Sequence, residues 1–427
     1  MASINRKLSP SWTLFILTGL NLFNYLDRSV INAVRTPLAN DFGITYGDSG
    51  RTFTAFMIGY FITSPFFGYL GDRVSRKWLV GLGIFVWSLG TVLTGFAGGF
   101  ATLLFYRVLV GLGEASYATI SPSLISDVYG PERRNNALTI FYVAMPVGSA
   151  LGYLLGGEIS AQWGWRRAFI WAGAPGFLLA LTLLPFAEPR RGQSDVSVAE
   201  TVAKPALCDV LRLFRNADFN LVVWGYVAYT FALGAFAFWG PTFLETVHHL
   251  STDKADRFFG GVMVIAGLVG TLLGGFAATA WQRRTPAGYA WMLCLSVWVA
   301  VPLSFLALQA ASTAMAMSLL ALSIFLLFLC AGPVNTLIIE TVPLNLRASA
   351  MAISIFMIHL FGDMWSPEIV GRLADHWNKD LQKAVLILPC ALLVGGALWL
   401  VLALKSVRRS RAARAPNRGL GVTTAAP

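Results

Sequence analysis

Long apolar runs leave this chain few folds to choose from. About twelve stretches are long enough to cross a bilayer by the roughly 20-residue rule. They fall at 12–34, 50–71, 78–98, 101–123, 136–158 and 167–187, then at 219–243, 257–280, 288–309, 313–338, 347–372 and 384–405. The first run could be mistaken for a secretory signal. It is too long, carries Asp27 and Arg28 inside, and lacks a small-residue cleavage site, so it is read as a retained span. Composition agrees with a lipid-solvated chain: 12% of residues are charged, against about 25% in soluble domains. The net charge of +11 sits in short gaps between apolar runs, which points to a membrane surface and away from nucleic acid. Cys208, Cys294, Cys330 and Cys390 are scattered, with no metal-ligand spacing.

The predicted fold is therefore an all-α membrane protein of twelve transmembrane helices in two six-helix bundles. Residues 1–187 form the first bundle and 219–405 the second. Residues 188–218 form a polar linker containing Pro189, Gly192 and Pro205, with a short surface helix around Leu207 to Phe214. Residues 406–427 form a basic tail rich in Ala, Pro and Gly, expected to be disordered. With the N-terminus placed inside, 21 of the 32 Lys and Arg residues fall in cytoplasmic segments, including Arg73, Arg76, Lys77, Arg133 and Arg134. Both termini are then cytoplasmic, and the expected location is a bacterial inner membrane.

The halves echo each other. Gly68-Tyr-Leu-Gly-Asp72-Arg73-Val-Ser-Arg76-Lys77 follows the second run, and Gly275-Phe-Ala-Ala-Thr279-Ala-Trp-Gln-Arg283-Arg284 follows the eighth. Asp127 precedes Arg134 by seven residues, and Glu340 precedes Arg347 by seven. Duplicated halves are the architecture of carriers that rock two bundles around a central site.

The motif Gly68 to Lys77 resembles the signature loop of the major facilitator superfamily. Phe23-Asn24-Tyr25-Leu26-Asp27-Arg28, Gly111-Leu-Gly-Glu114-Ala-Ser-Tyr117, the run from Pro146 to Tyr153, and His359-Leu-Phe-Gly-Asp363-Met-Trp-Ser366-Pro367 are similar to the Spinster branch. That resemblance implies a monomeric secondary transporter of lysophospholipids or sphingosine-type phosphates, working in the bilayer by alternating access. It further implies a cytoplasmic gate of Asp72, Arg73, Arg76, Asp127, Arg134, Glu340 and Arg347, whose contacts close the inside and break when it opens. The plain alternative for Arg76 and Lys77 is that basic loop residues only obey the orientation rule. An exchanger-type glycine motif on the fifth run is incomplete, because Tyr153 stands where proline is expected, so symport and antiport stay open.

Charge inside apolar helices is the sharpest clue to mechanism. Asp27 and Arg28 lie in the first run, Arg107 and Glu114 in the fourth. Each such charge costs at least about 2.5 kcal/mol at membrane depth, so it faces a cavity or a partner. Seven residues put Arg107 and Glu114 on one helix face, about 10 Å apart. Asn21, Asn24 and Arg28 continue the polar stripe. Asp27 and Arg107 are expected at similar depth and able to pair. Arginine does not deprotonate at usable pH, so a proton switch in this set must be Asp27 or Glu114. Protonating one of them would free Arg28 or Arg107 to hold an anionic head group, with Asn24 and Tyr117 nearby. A permanent ion-pair network that only ties helices together is the alternative.

The second half is poor in buried charge. It offers aromatics on the seventh run, among them Tyr226 and Trp239, as candidate contacts for an apolar tail, and the pair His359 and Asp363 one turn apart. The substrate expected is a small amphiphile, with protons as the coupling ion. No nucleotide loop, metal-ligand set, cofactor motif or nucleophile elbow is present. The competing readings are a proton-coupled carrier of small organic anions such as sugar acids, a lipid-active membrane enzyme, and a non-transporting sensor.

Overall fold

In a computed structural model, residues 9–71, 73–183, 188–189, 212–343 and 346–414 are described. The first half contains α1 (Pro10–Ala33), α2 (Tyr46–Gly71), α3 (Arg76–Thr94), α4 (Phe100–Val128), α5 (Pro131–Trp163) and α6 (Trp165–Thr182). The second contains α7 (Ala217–Val247), α8 (Thr252–Gln282), α9 (Gly288–Gln309), α10 (Thr313–Glu340), α11 (Ser349–His376) and α12 (Leu381–Ser410). A short helix, Arg35–Phe42, joins α1 to α2. The helices overrun the apolar stretches, and two of their starts are capped by side chains. Ser9 Oγ accepts from the Trp12 amide at the start of α1, and Asn216 Oδ1 accepts from the Asp218 and Phe219 amides at the start of α7.

Packing repeats between the halves. Helix α1 lies on α5, α2 on α4, and α3 on both α4 and α6; α7 meets α11 and α12, α8 meets α10, and α9 meets α10 and α12. The bundles meet each other through α2 with α11 and α5 with α8, two pairs that exchange under the internal two-fold. The α1–α5 approach is close because Gly148 and Gly152, one turn apart, face the carbonyls of Leu22 and Leu26; a methyl at either position would strike backbone.

Two helices of the second half carry π-helical turns, Ala266–Gly270 in α8 and Ile358–Asp363 in α11. Such turns shift the faces of a helix by a fraction of a turn and concentrate at functional places. Apolar spacing alone does not reveal them.

The tail differs from expectation, and most of the linker lies outside the described residues. Of the expected surface helix, Arg212 to Phe214 are described, within the 3₁₀ turn Arg212–Arg215; Leu207 to Leu211 lie outside the described residues. Helix continues past Lys405 to Arg414 where disorder was expected. Along this extension Asp218 at the start of α7 pairs with Lys405 at 2.7 Å and with Arg409 one turn later.

Candidate functional site

The central charges gather inside the first bundle, but not in the expected pairs. Arg28 on α1 donates through Nε (3.1 Å) and Nη2 (2.6 Å) to Glu114 Oε2 on α4. Asp27 instead accepts from Thr91 Oγ1 on α3. Asp27 and Arg107 share the interior, yet they do not meet as an ion pair. All three guanidinium nitrogens of Arg107 lack a hydrogen-bond partner among the described residues, as do Asp27 Oδ1, Glu114 Oε1 and Asn24 Nδ2. Arg107 and Glu114 are fully buried, and Asp27 and Asn24 nearly so.

An aromatic side chain that sequence reading passed over explains this arrangement. Phe56 on α2 lies between the two arginines, with its ring 4.9 Å from the Arg28 guanidinium and 5.3 Å from that of Arg107. Tyr25 and Tyr60 also face Arg28, at 4.9 and 5.5 Å. Ring faces attract a cation most strongly when water is excluded. The aromatic wall thus steadies both cations without occupying their hydrogen-bond donors. Arg107 keeps a full fork of donors, the geometry that suits carboxylate or phosphate. On the other edge of the polar stripe, Asn21 donates to Phe141 O and Asn32 to Tyr153 Oη, tying α1 to α5.

Two candidate contacts turn out to be packing residues. Tyr117 is fully buried and donates its hydroxyl to Leu17 O. Trp239 is fully buried, donates Nε1 to Pro367 O at 2.9 Å, and packs on Phe238 and Tyr46. In both, the polar tip serves a neighbouring helix backbone, so neither is free to bind substrate. His359 and Asp363 do form a pair, with Nδ1 3.0 Å from both carboxylate oxygens, on the π-helical turn of α11. Phe61 of α2 lies edge-on to His359 and to Phe356, so this pair sits where the bundles meet. Tyr226 is half-buried beside it on α7.

At the basic-loop end, Arg76 is buried, not merely a solvated loop charge as the orientation rule alone would have it. Its Nη1 meets Asp127 Oδ2 at 2.5 Å, its Nε meets Glu188 Oε1 at 3.2 Å, and Nη2 donates to Pro189 O. Glu188 also accepts from Ser75 Oγ and the Arg76 amide. Partial burial pushes the Glu188 carboxyl up, but these donors outweigh it and hold it below the usual range. Arg73 folds back over the Tyr69 ring. The described contacts of Arg76 stay within the first bundle and the linker. Asp72 and the side chains of Arg134 and Arg347 lie outside the described residues, and Glu340 ends α10.

At the opposite end the bundles close on each other, through residues the sequence did not single out. Asp375 of α11 accepts from the Tyr46 and Gly47 amides, capping α2 from across the interface. Gly50 of α2 lies directly on the backbone of Glu368. Glu368 holds Arg51 at 3.3 Å and Arg372 at 2.5 Å. Arg35, at the start of the short helix after α1, is buried between the rings of Trp239 (4.5 Å) and Phe238 (5.0 Å). Burial pulls its guanidinium down to about 10, with Glu245 and Asp256 acting the other way, so it stays a cation at neutral pH.

Comparison with known proteins follows the same lines. The family model of the Major Facilitator Superfamily matches residues 17–367. The chain is 30% identical to the Arabidopsis thaliana protein "Probable sphingolipid transporter spinster homolog 2", over 98% of this chain and 93% of that one. The chain belongs to the Spinster branch of the major facilitator superfamily. It is also 33% identical to "Protein spinster" of Drosophila melanogaster over 90% of its own length, and spans 64% of that longer protein. The fold matches a crystal structure of a bacterial homolog to the human lysosomal transporter Spinster, in an inward-facing and unoccupied conformation. That match has a TM-score of 0.84 at 24% identity and covers 94% of this chain and 98% of the other. A Spinster protein is a membrane transporter and not an enzyme.

Proposed function

We propose that this Spinster protein carries a lysophospholipid or sphingoid phosphate across the membrane by alternating access, coupled to protons. One observation carries the reading. Arg107 is a fully buried cation whose five N–H donors find no acceptor among the described residues, next to an Arg28–Glu114 pair that protonation would break. A buried cation so placed calls for an anion. A phosphate entering from the side of Arg28 meets both guanidinium groups across the Phe56 ring. A proton on Glu114 weakens its hold on Arg28 and turns that arginine to the head group. Loss of the proton restores the pair and expels the anion. Asp27, held among the described residues by Thr91, is the second acid able to take the proton.

The seam between α2 and α11 supports an amphiphile over a sugar acid. Ile62 and Phe66 on α2 and Ile355 and Phe356 on α11 are half or more exposed, giving an apolar edge where the bundles meet. Relatives named as sphingolipid transporters point the same way. The excess of Lys and Arg in the loops at the Arg76 end supports a cytoplasmic position for that end and an outside position for the closed end; an inner membrane and a monomer belong to the same proposal. Uptake of labelled lysolipid into liposomes, with and without a pH gradient, tests the reading. Gradient-driven uptake is expected, and falls about tenfold in Glu114→Gln with its pH dependence flattened. Equal uptake with and without the gradient removes proton coupling, and preferential uptake of a labelled sugar acid removes the lipid.

A further inference from the structure

The central charges have a counterpart at the closed end that the transport reading leaves unused. Asp256 of α8 is fully buried, and neither of its carboxylate oxygens has a hydrogen-bond partner among the described residues. It crosses the bundle interface to rest on Gly157 of α5, so closely that a methyl on that glycine would strike the carboxylate. The charged and titratable groups around it, among the described residues, come from several elements. Arg35 comes from the short helix and Glu245 from α7; Tyr153 and Glu158 come from α5; Asp253 and Arg257 come from its own helix. The stretch of α10 that packs on this part of α8, Thr313–Phe328, carries no charge. Tyr153 is committed to Asn32 and Ala237 O, Glu158 is paired with Arg257 at 2.6 Å, and Glu245 accepts from Thr36 Oγ1. Arg35 is thus one cation facing two acids, and it does not come within ion-pair distance of Asp256.

A carboxylate ion in that position would be dry, without a donor, and next to a like charge. Each of these conditions disfavours the ion strongly in a low-dielectric interior. The bundle contact itself is what dries it. When α5 and α8 part, water reaches Asp256 and the ion becomes the stable form. We propose that Asp256 is a second proton-binding site, loaded when this end is closed and emptied when it opens. Closing the bundles takes up one proton from the solvent at this end, and the anion left on opening holds them apart. The inference rests on alternating access, but not on the identity of the substrate or on a switch at Asp27 or Glu114.

The test places spin labels on Gln162 and Lys254, exposed residues near the interface ends of α5 and α8, in a protein lacking its four cysteines. Distances are read by pulsed electron resonance in nanodiscs from pH 5 to pH 9. The wide-distance population is expected to rise at least threefold with pH. In Asp256→Asn, which mimics the protonated form, the protein stays at the short distance throughout. In Gly157→Ala, whose methyl wedges against Asp256, the wide population is expected to be high already at pH 5. Asp27→Asn keeps the response, which separates this site from the central one. A pH response that survives in Asp256→Asn, that is absent in the parent, or that disappears equally in Asp27→Asn overturns the proposal. Each variant is first checked for a monodisperse elution profile, and Gly157→Ala gives an independent reading if Asp256→Asn fails to fold.

Discussion

The central cluster and the closed-end cluster are built from the same parts and differ in how they are shared. Both combine arginine with two acids, aromatic rings over the guanidinium, and carboxylate oxygens left without donors. The central one belongs to α1 and α4, with α2 and α3 alongside, all within the first bundle. Its members need not separate when the bundles rock, so it can hold a head group in every state. The closed-end cluster draws Arg35 and Gly157 from one bundle and Glu245 and Asp256 from the other. Rocking must pull it apart. A charge set inside one rigid body suits binding, whereas the same set divided between two bodies reports their separation.

The largest effect that would break this contrast is at Arg107. Arg107→Ala should reduce lysolipid uptake about 100-fold, the scale of the 2–5 kcal/mol lost when one side of a buried charge contact is removed. Thermal stability should be kept or raised, since an unpaired buried cation is lost; a large fall in melting temperature instead would make Arg107 structural. Next comes Glu114→Gln, where uptake should fall about tenfold with the pH dependence flattened, because a pair interaction worth about one to two kcal/mol is replaced by a permanently neutral partner. A preserved pH profile would move the switch to Asp27. Gly50→Ala acts on the other cluster's end of the molecule. Its methyl would overlap Glu368 backbone, so the closed state should weaken, seen as several-fold faster thiol labelling of Ser49→Cys in that background. Unchanged labelling would show that the α2–α11 contact does not form the seal.

Smaller effects follow at the packing residues. Trp239→Phe loses the bond to Pro367 O and should cost about 1 kcal/mol of stability, with uptake changed less than threefold; a loss of uptake at full stability would return Trp239 to the binding site. Smallest is Glu188. Its carboxyl is held below the usual range in the folded protein, so its contribution is complete above about pH 4.3, its ordinary value, and is lost as pH falls through the lower folded value. Hydrogen exchange at Ser75 and Arg76 should therefore quicken below about pH 4, and Glu188→Gln should show the fast rate already at neutral pH.

Hydropathy and charge spacing were enough to place all twelve helices, the internal duplication and the four central charges, because each of these is a local property of the chain. Residues seven apart share a helix face whatever the helix packs against. The same logic could have flagged Asp256, an acid one turn into an apolar helix, but its neighbours Asp253, Lys254 and Arg257 make it look like part of a solvated end. Arg35 was hidden in the same way by the short segment around it.

Which arginine meets which acid was decided only in three dimensions. Arg28 takes Glu114, and Arg107 finds no acceptor among the described residues, with Phe56 from α2 lodged between the two cations. Helix α1 is seated by close glycine contacts with α5, more than a hundred residues away. Tyr117 and Trp239 read as site residues along the chain and became helix-to-helix bonds in the fold, since a buried hydroxyl or indole must find an acceptor wherever one lies nearest. The two π-helical turns and the closed end likewise arise from segments distant in sequence. Burial at a bundle interface is a property of both partners, and no single stretch of chain carries it.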